Sequence, residues 1–547
     1  MADINIFALG GQDENGKNCY VLEVNRDIYV INAGIKVPIN NRYGIDGIIP
    51  SFDYLVKRRK SIKGIFITHA HDDVFAALPW LIMDLKGVKI YASNFTSKVI
   101  KDRISKYKIN HQDYEIKVIN KRMNFGSVEV EPFEVANSIV GSYCYKFLTP
   151  DGDIVFMSNF IIDDLGQFGK TSLNRIAQPN RKILALMLDA RRSNFHGRSS
   201  EHKSVVPIIE PQFSSASPTE RIIVGAYDEE MYVLQEVLEL CVKYNRPVVL
   251  YGRTYQTLYN FLKMENPSLS EPRILDYRTI SKHDNAVVLI TGTWSRLYQR
   301  FVRIAERADV YLKLKSTDRI VMIAPPINGL EVEYTQMLDK VTMTTANITE
   351  VTYSDYYSLR PADLDIRETV QVLKPQYFIP ISALYRYLVV AKNLAAQEGV
   401  TLDRSIVLQN GKVVWIQNGR LVSQKGRIKE QDEVIIDGFG IGDISYEVIK
   451  EREVLSANGL VSIAIQINPK SKKIVRENSS IQFVGVAGKS KIEELNLLTW
   501  QVLEQKVEQA EKWDVKEVQN SVRKRLKKLL VRLIEKTPIV LVTFYEV

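Results

Sequence analysis

The sequence predicts an α/β chain in which sheet-rich parts flank a parallel-sheet insert and a small α/β unit follows. Three observations predict it. Residues 1–208 place turn signatures between short apolar runs. From about residue 209, short apolar strands alternate with helical stretches. Residues 460–547 combine strand-like ends with two helical stretches. At 547 residues the chain is also too long for one core, and about three domains are expected.

In the first part, residues 18–24 and 28–33 flank Asn25-Arg26 and read as a hairpin. Residues 142–148 and 154–157 flank Pro150-Asp151-Gly152, a second turn signature. Meandering strands with few helices imply packed sheets. The rhythm then changes. Residues 222–226, 247–251, 286–291 and 319–324 are short apolar strands. Residues 229–244 are helical, with Met231, Leu234, Leu238, Cys241 and Val242 on one face. This alternation is that of a parallel sheet covered by helices.

After about residue 350 the first style returns. Residues 376–381 are strand-like, and Asn410-Gly411 and Asn418-Gly419 are expected as hairpin turns. The glycine-rich stretch 437–443 reads as a linker. No Gly-Lys-Ser/Thr follows it, so it is not a phosphate loop. In the last part, residues 460–467 and 539–545 are strands and 492–511 is a helix. Asp514 and Glu517 form a capping box for a helix running to Ile534. Leu495, Leu497, Leu498, Trp500, Val502, Leu503, Leu526, Leu529, Leu530 and Leu533 exceed what a three-stranded sheet needs to cover, so this part is expected to offer a subunit interface.

The apolar fraction of 45% and charged fraction of 25% are those of an ordinary folded chain. No apolar run approaches the ~18 residues of a membrane span. The first residues lack a basic region, so no secretory signal is expected. Three widely spaced cysteines, Cys19, Cys144 and Cys241, argue against a disulfide framework and for the cytoplasm. A net charge of +9 is compatible with RNA without demanding it.

The chemistry concentrates at Thr68-His69-Ala70-His71-Asp72-Asp73, between the apolar runs 64–67 and 74–83. That is a strand, a polar turn and a helix start. His-x-His-x-Asp is a metal-ligand spacing.

This motif resembles the metallo-β-lactamase superfamily, and other segments resemble the ribonuclease J family within its β-CASP branch. They are Gly10-Gly11 with Glu14 and Gly16-Lys17-Asn18, then Val30-Ile31-Asn32-Ala33-Gly34, where the family usually has aspartate at Asn32. Residues 375–380 with Tyr385-Arg386, and the glycine-rich 437–443, are later landmarks. The resemblance implies a metallo-β-lactamase αββα sandwich built from residues 1–208 and 351–433, a β-CASP parallel α/β insert at 209–350, a linker at 434–459 and a small C-terminal α/β domain at 460–547.

It also implies a ligand set that this chain keeps only in part. His69, His71 and Asp73 remain, but Val74, Asn137 and Ser382 stand where the family has histidines, and Asn159 stands where it has a bridging aspartate. Both histidines of a His-x-Ser-Gly-His segment are missing from Thr352-Tyr353-Ser354-Asp355-Tyr356. The pattern is similar to a second, active-site-degenerate paralogue found in some Gram-positive bacteria.

Two cations ~3.5–4 Å apart need an anionic bridge, which the neutral amide of Asn159 does not supply. A stable two-zinc site is therefore not expected. One weak divalent cation on His69, His71, Asp73, Asn137 and Asn159 remains open, manganese or magnesium in preference to zinc. The other reading is that the histidines are hydrogen-bonded relics and no cofactor binds. Asp72 and Asp73 are the candidate catalytic carboxylates. Residues carried over as RNA-binding are Arg191, Arg192, Tyr232, Arg253, Thr254, Thr352, Tyr353, Ser354, Asp355 and Tyr356. Asp228, Glu229 and Glu230 replace small phosphate-binding donors of the family, and equally suit a helix N-terminus.

The expected function is that of a ribonuclease J-like protein of bacterial mRNA decay and rRNA maturation. Against a 5′→3′ exonuclease and endonuclease background, this copy is expected to be a weakly active or non-catalytic subunit. The expected partners are single-stranded RNA, an active paralogue and a second copy of itself, with no membrane. The alternatives are a genuine low-turnover, manganese-dependent exoribonuclease and an RNA-binding scaffold.

Overall fold

The computed structural model describes residues 2–38, 44–356, 359–430, 432–437, 440–441, 446–468, 470–510 and 513–546. The chain forms two compact units, one made mainly of residues 46–441 with the N-terminal segment, the other mainly of residues 442–547.

The first unit contains two sheets face to face. The eight-stranded sheet runs in the order Arg420–Arg427, Lys412–Gln417, Asp3–Gly10, Cys19–Val24, Asp27–Ile31, Ile62–Phe66, Val88–Ala92, Tyr114–Val118. The six-stranded sheet runs Tyr377–Ile381, Ile183–Asp189, Gly152–Met157, Tyr143–Thr149, Glu129–Glu134, Met123–Asn124. Their inner faces share one apolar core, where Ile4, Ile6, Tyr20 and Phe66 meet Phe147, Phe156, Met187 and Ile381. Helices cover both outer faces. Leu78–Leu85 and Asn94–Ser105 pack on the first sheet. Asp363–Leu373 and Tyr385–Gln397 pack on the second. This is the αββα sandwich, and alternation of inward and outward apolar residues produces it.

The insert is a five-stranded sheet, Val248–Tyr251, Val287–Gly292, Ile222–Tyr227, Arg319–Met322, Ile348–Glu350, parallel throughout. The central strands Ile222–Tyr227 and Val287–Gly292 are largely apolar because helices bury both faces. Its helix Met231–Lys243 buries Met231, Leu234, Leu238 and Cys241, while Val242 is exposed.

The turn at Asn418-Gly419 joins two paired strands, both residues having positive φ. Asn410-Gly411 differs from the expectation. It opens a strand without closing a hairpin, because Gly411 donates its N–H to Ala8 O at 2.8 Å and the Asn410 side chain bonds Gln12 and Glu14. Of the glycine-rich stretch 437–443, residues 438–439 and 442–443 lie outside the described residues. Glu433–Asp437 before them pairs with Gly47–Pro50.

In the second unit, the sheet order is Lys473–Val484, Leu460–Asn468, Ile539–Glu546. Helices Lys489–Glu508 and Val515–Ile534 cover one face, and Asp514 caps the second by accepting the N–H groups of Lys516 and Glu517 at 2.9 and 3.1 Å. Helix Tyr446–Asn458 precedes this sheet. The expected surplus of apolar residues is largely used within the unit. Leu495, Val502, Leu503, Leu526, Leu529 and Leu530 are buried in its core, and only Leu497 of that group is exposed. Among the described residues, no helix is long and apolar enough to cross a membrane.

Candidate metal centre

Strand Ile62–Phe66 ends below the motif, and the short helix Asp72–Phe75 begins in it. The loop after Asp27–Ile31, together with Asn18 just before strand Cys19–Val24, clamps this helix. Ala33 N–H donates to Val74 O at 2.7 Å, Ile35 N–H to Asp72 O at 3.1 Å, and Asn18 N–H to Asp73 O at 3.0 Å. Gly34 permits the approach, since a Cβ there would stand 1.7 Å from Asp73 O.

His69, His71 and Asp73 are buried together. Each offers a ligand atom within 4.8 Å of the others, the one such group among the described residues. The imidazoles lie edge to face with centroids 4.6 Å apart. Burial lowers the affinity of His69 for a proton and pushes His71 down to about 4, so both are neutral near pH 7. His69 Nδ1 lies 2.9 Å from Thr68 Oγ1, and its Nε2 has no hydrogen-bond partner among the described residues. His71 is engaged at both nitrogens. Asn159 Nδ2 donates to Nδ1 at 3.0 Å, which leaves the Nε2 hydrogen for Ser138 Oγ at 3.2 Å.

The Asp73 carboxylate is also engaged. Arg191 donates to Oδ2 at 3.0 Å, Asn18 at 3.3 Å, and an Arg360 nitrogen stands 3.7 Å away. Burial alone would raise this acid, but the two guanidinium groups outweigh it and hold the carboxyl well below the usual carboxylate range. Arg360 also donates to the buried Asp189 at 2.7 Å, and Asp189 accepts the backbone N–H groups of Asn159 at 3.1 Å and Arg191 at 2.9 Å. Arg360, Asn18 and Asp189 are therefore part of the site, and the sequence reading missed their contacts with it. The one sequence signal was an arginine within the apolar run Leu359-Arg360-Pro361-Ala362, which is where a buried ion pair is found.

The other substituted positions are used elsewhere. Val74 lies in the apolar core. Asn137 spends its amide in its own loop, accepting from Ser138 N–H at 2.6 Å and donating to Ser142 Oγ at 3.0 Å. Ser382, at φ +60°, donates its N–H to the Tyr20 oxygen at 2.9 Å. Asn32, at φ +67°, accepts from the Thr68 N–H at 3.0 Å, and its own buried Nδ2 has no hydrogen-bond partner among the described residues. The donor set thus has the number and convergence for one divalent cation. Among the described residues it offers neither a bridging carboxylate nor a ligand group for a second ion, so it does not fit a two-metal centre.

Asp72 does not join this group, for its carboxylate pairs with Arg103 and its N–H donates to Glu229 Oε1 at 2.7 Å. The same turn of the insert approaches the sandwich again, where Tyr232 N–H donates to Ser138 O at 2.9 Å and its ring meets Phe168 edge on. Tyr356 is buried and donates to Glu230 at 2.7 Å. Arg192 lies over the Tyr353 ring at 4.2 Å. Thr352, Ser354 and Asp355 bond one another in an exposed turn, with Thr352 Oγ1 2.6 Å from each partner. Arg253 and Thr254 are exposed at the first turn of helix Arg253–Glu265.

The sandwich with its parallel insert and His-x-His-x-Asp group defines a metallo-β-lactamase-type protein of the β-CASP branch. Comparisons narrow this. Residues 219–341 match the family model "Ribonuclease J, beta-CASP domain", and residues 447–547 match "Ribonuclease J C-terminal domain". The "Ribonuclease J 2" of Streptococcus pyogenes serotype M3 is 26% identical, over 87% of this chain and 86% of its own. The "Ribonuclease J2" of Bacillus subtilis is 26% identical over 86% and 85%. An uncharacterized protein of Mycoplasma pneumoniae is 28% identical over the full length of both chains. A crystal structure of a protein of unknown function from Enterococcus faecalis shares the fold, with a TM-score of 0.50 at 14% identity, over 76% of this chain and 100% of its own. The chain belongs to the ribonuclease J family.

Proposed function

We propose that this chain serves bacterial RNA processing and decay as a weakly active or non-catalytic ribonuclease J subunit beside an active paralogue. Family membership and the names of the relatives support the RNA part of this reading. The observation that carries the rest is the donor set. Asn159 offers His71 an amide hydrogen where a bridging charge would be required, and Val74 is core. The chain's own residues would then bind RNA without cleaving it efficiently. The stacked Arg192–Tyr353 pair and the exposed Arg253 and Thr254 supply cationic, aromatic and hydroxyl contacts suited to single-stranded RNA. Cytoplasmic location and self-association belong to the same proposal.

A second reading, a low-turnover manganese-dependent 5′→3′ exoribonuclease, is favoured by one feature. His69 Nε2 is buried and unpartnered among the described residues, beside His71 and Asp73.

The deciding experiment is an exonuclease assay on 5′-monophosphorylated RNA in manganese buffer. It is run alone and with an active paralogue, with His69→Ala/His71→Ala as the control for contaminating nuclease. The chain alone is expected to be at least ~100-fold slower than the paralogue, equivalent to ~2.7 kcal/mol of lost transition-state stabilisation. Co-elution of the two chains is expected on a sizing column. A rate within tenfold of the paralogue that the control abolishes would establish the second reading.

A further inference from the structure

We propose that Arg191 and Arg360 are the resident cations of the His69–His71–Asp73 group, so that a divalent metal ion reaches Asp73 only by displacing a guanidinium. The proposal goes beyond the functional reading, because it concerns what occupies the site, whatever the chain does with RNA.

Asp73 has cationic partners without a metal ion. Two carboxylates, Asp73 and Asp189, face the guanidinium groups of Arg191 and Arg360. Arg360 joins both acids, 2.7 Å from Asp189 and 3.7 Å from Asp73. Arg191 reaches Asp73 Oδ2 at 3.0 Å and anchors its own Nε on Ser382 O at 3.3 Å. Asn18 takes a further position on the same oxygen at 3.3 Å. A divalent ion on Asp73 would stand beside two guanidinium groups that already face this carboxylate.

The arginines arrive from separate parts of the fold. Arg191 follows strand Ile183–Asp189, and its backbone N–H is tied to the Asp189 carboxylate at 2.9 Å. Arg360 precedes helix Asp363–Leu373. Arg191 is therefore held by backbone as well as by charge. The planar Arg360 guanidinium bridges the two carboxylates because its nitrogens point to different acceptors, Nη1 to Asp189 and Nη2 toward Asp73. His69 Nε2 is buried with no hydrogen-bond partner among the described residues, and the contacts of Arg191, Arg360 and Asn18 with Asp73 all fall on its Oδ2.

The test is manganese binding by the full chain, read as free manganese by electron paramagnetic resonance and as thermal melting with and without chelator. Arg191→Gln is the informative variant, because the Arg191 side chain is 21% exposed and its loss leaves Arg360 on Asp189. Wild-type chain is expected to bind manganese only in the millimolar range and to melt at one temperature in chelator and in manganese. Arg191→Gln is expected to bind one manganese at least tenfold more tightly and to melt higher in its presence. His69→Ala in the same background should abolish that gain. Arg191→Lys keeps the charge and should stay as weak as wild type. Unchanged affinity in Arg191→Gln overturns the proposal. If that variant does not fold, the wild-type melt decides: a large loss of stability on chelation overturns it, and no change supports it. Binding rather than turnover is read, so failure here is distinct from failure of the functional reading.

Discussion

Replacing Arg360 with methionine is expected to cost about 3–5 kcal/mol of stability at neutral pH, the range seen when one partner of a buried ion pair is removed. The cause is the Asp189 carboxylate, which is wholly buried and has the Arg360 guanidinium as its side-chain counterion at 2.7 Å. Methionine fills much of the volume but leaves that charge uncompensated. Urea unfolding of the two chains side by side measures the difference. Loss of less than about 1 kcal/mol would mean that water or the neighbouring Arg191 solvates Asp189 adequately.

Glu236→Gln is expected to stabilise the chain in alkaline buffer. Glu236 lies in helix Met231–Lys243 and accepts the Val205 N–H at 3.1 Å, at the start of helix Val206–Ser214. Burial pushes its carboxyl up to about 7 from an ordinary value of 4.5, against the hydrogen bonds from Ser204 and Val205 that lower it. The folded state therefore holds a proton that the unfolded chain releases. The stability linked to this proton is full below pH 4.5 and is lost as the pH rises through about 7. Glutamine can still accept the Val205 N–H and never ionises. The variant should match wild type near pH 4 and exceed it by about 2–3 kcal/mol at pH 8. Melting curves across that range test it, and parallel pH profiles for the two chains would contradict it.

Much of the fold was legible because its strands announce themselves. Ile222–Tyr227 and Val287–Gly292 are largely apolar, as central parallel strands are, and Asn418-Gly419 has the residues that a tight hairpin requires. Lys473–Val484 was not read as a strand. Its Lys473, Arg476, Glu477 and Asn478 give no apolar alternation, and it is held at the edge of its sheet by pairing with Leu460–Asn468. Helix Tyr446–Asn458 escaped for a related reason, with Lys450, Glu451, Arg452 and Glu453 interrupting any apolar stripe. At the site, local spacing identified His69, His71 and Asp73, because three ligands on one turn need only a short motif. The partners of Asp73 come from Asn18, Arg191 and Arg360, on separate segments of the chain. Only the folded sandwich brings them together. Likewise the sequence placed Asp72 beside Asp73 but could not show that it turns to Arg103.

The central claim is that this site balances its charge with its own arginines and has no place for a two-metal centre. Elemental analysis of the full chain, purified without chelator and dialysed against metal-free buffer, tests it most directly. Fewer than about one divalent ion per chain is predicted, zinc included, because Asn159 supplies no bridging charge and Arg191 and Arg360 occupy Asp73. Two tightly held ions per chain would contradict it, and would require both guanidinium groups to leave the carboxylate they hold here.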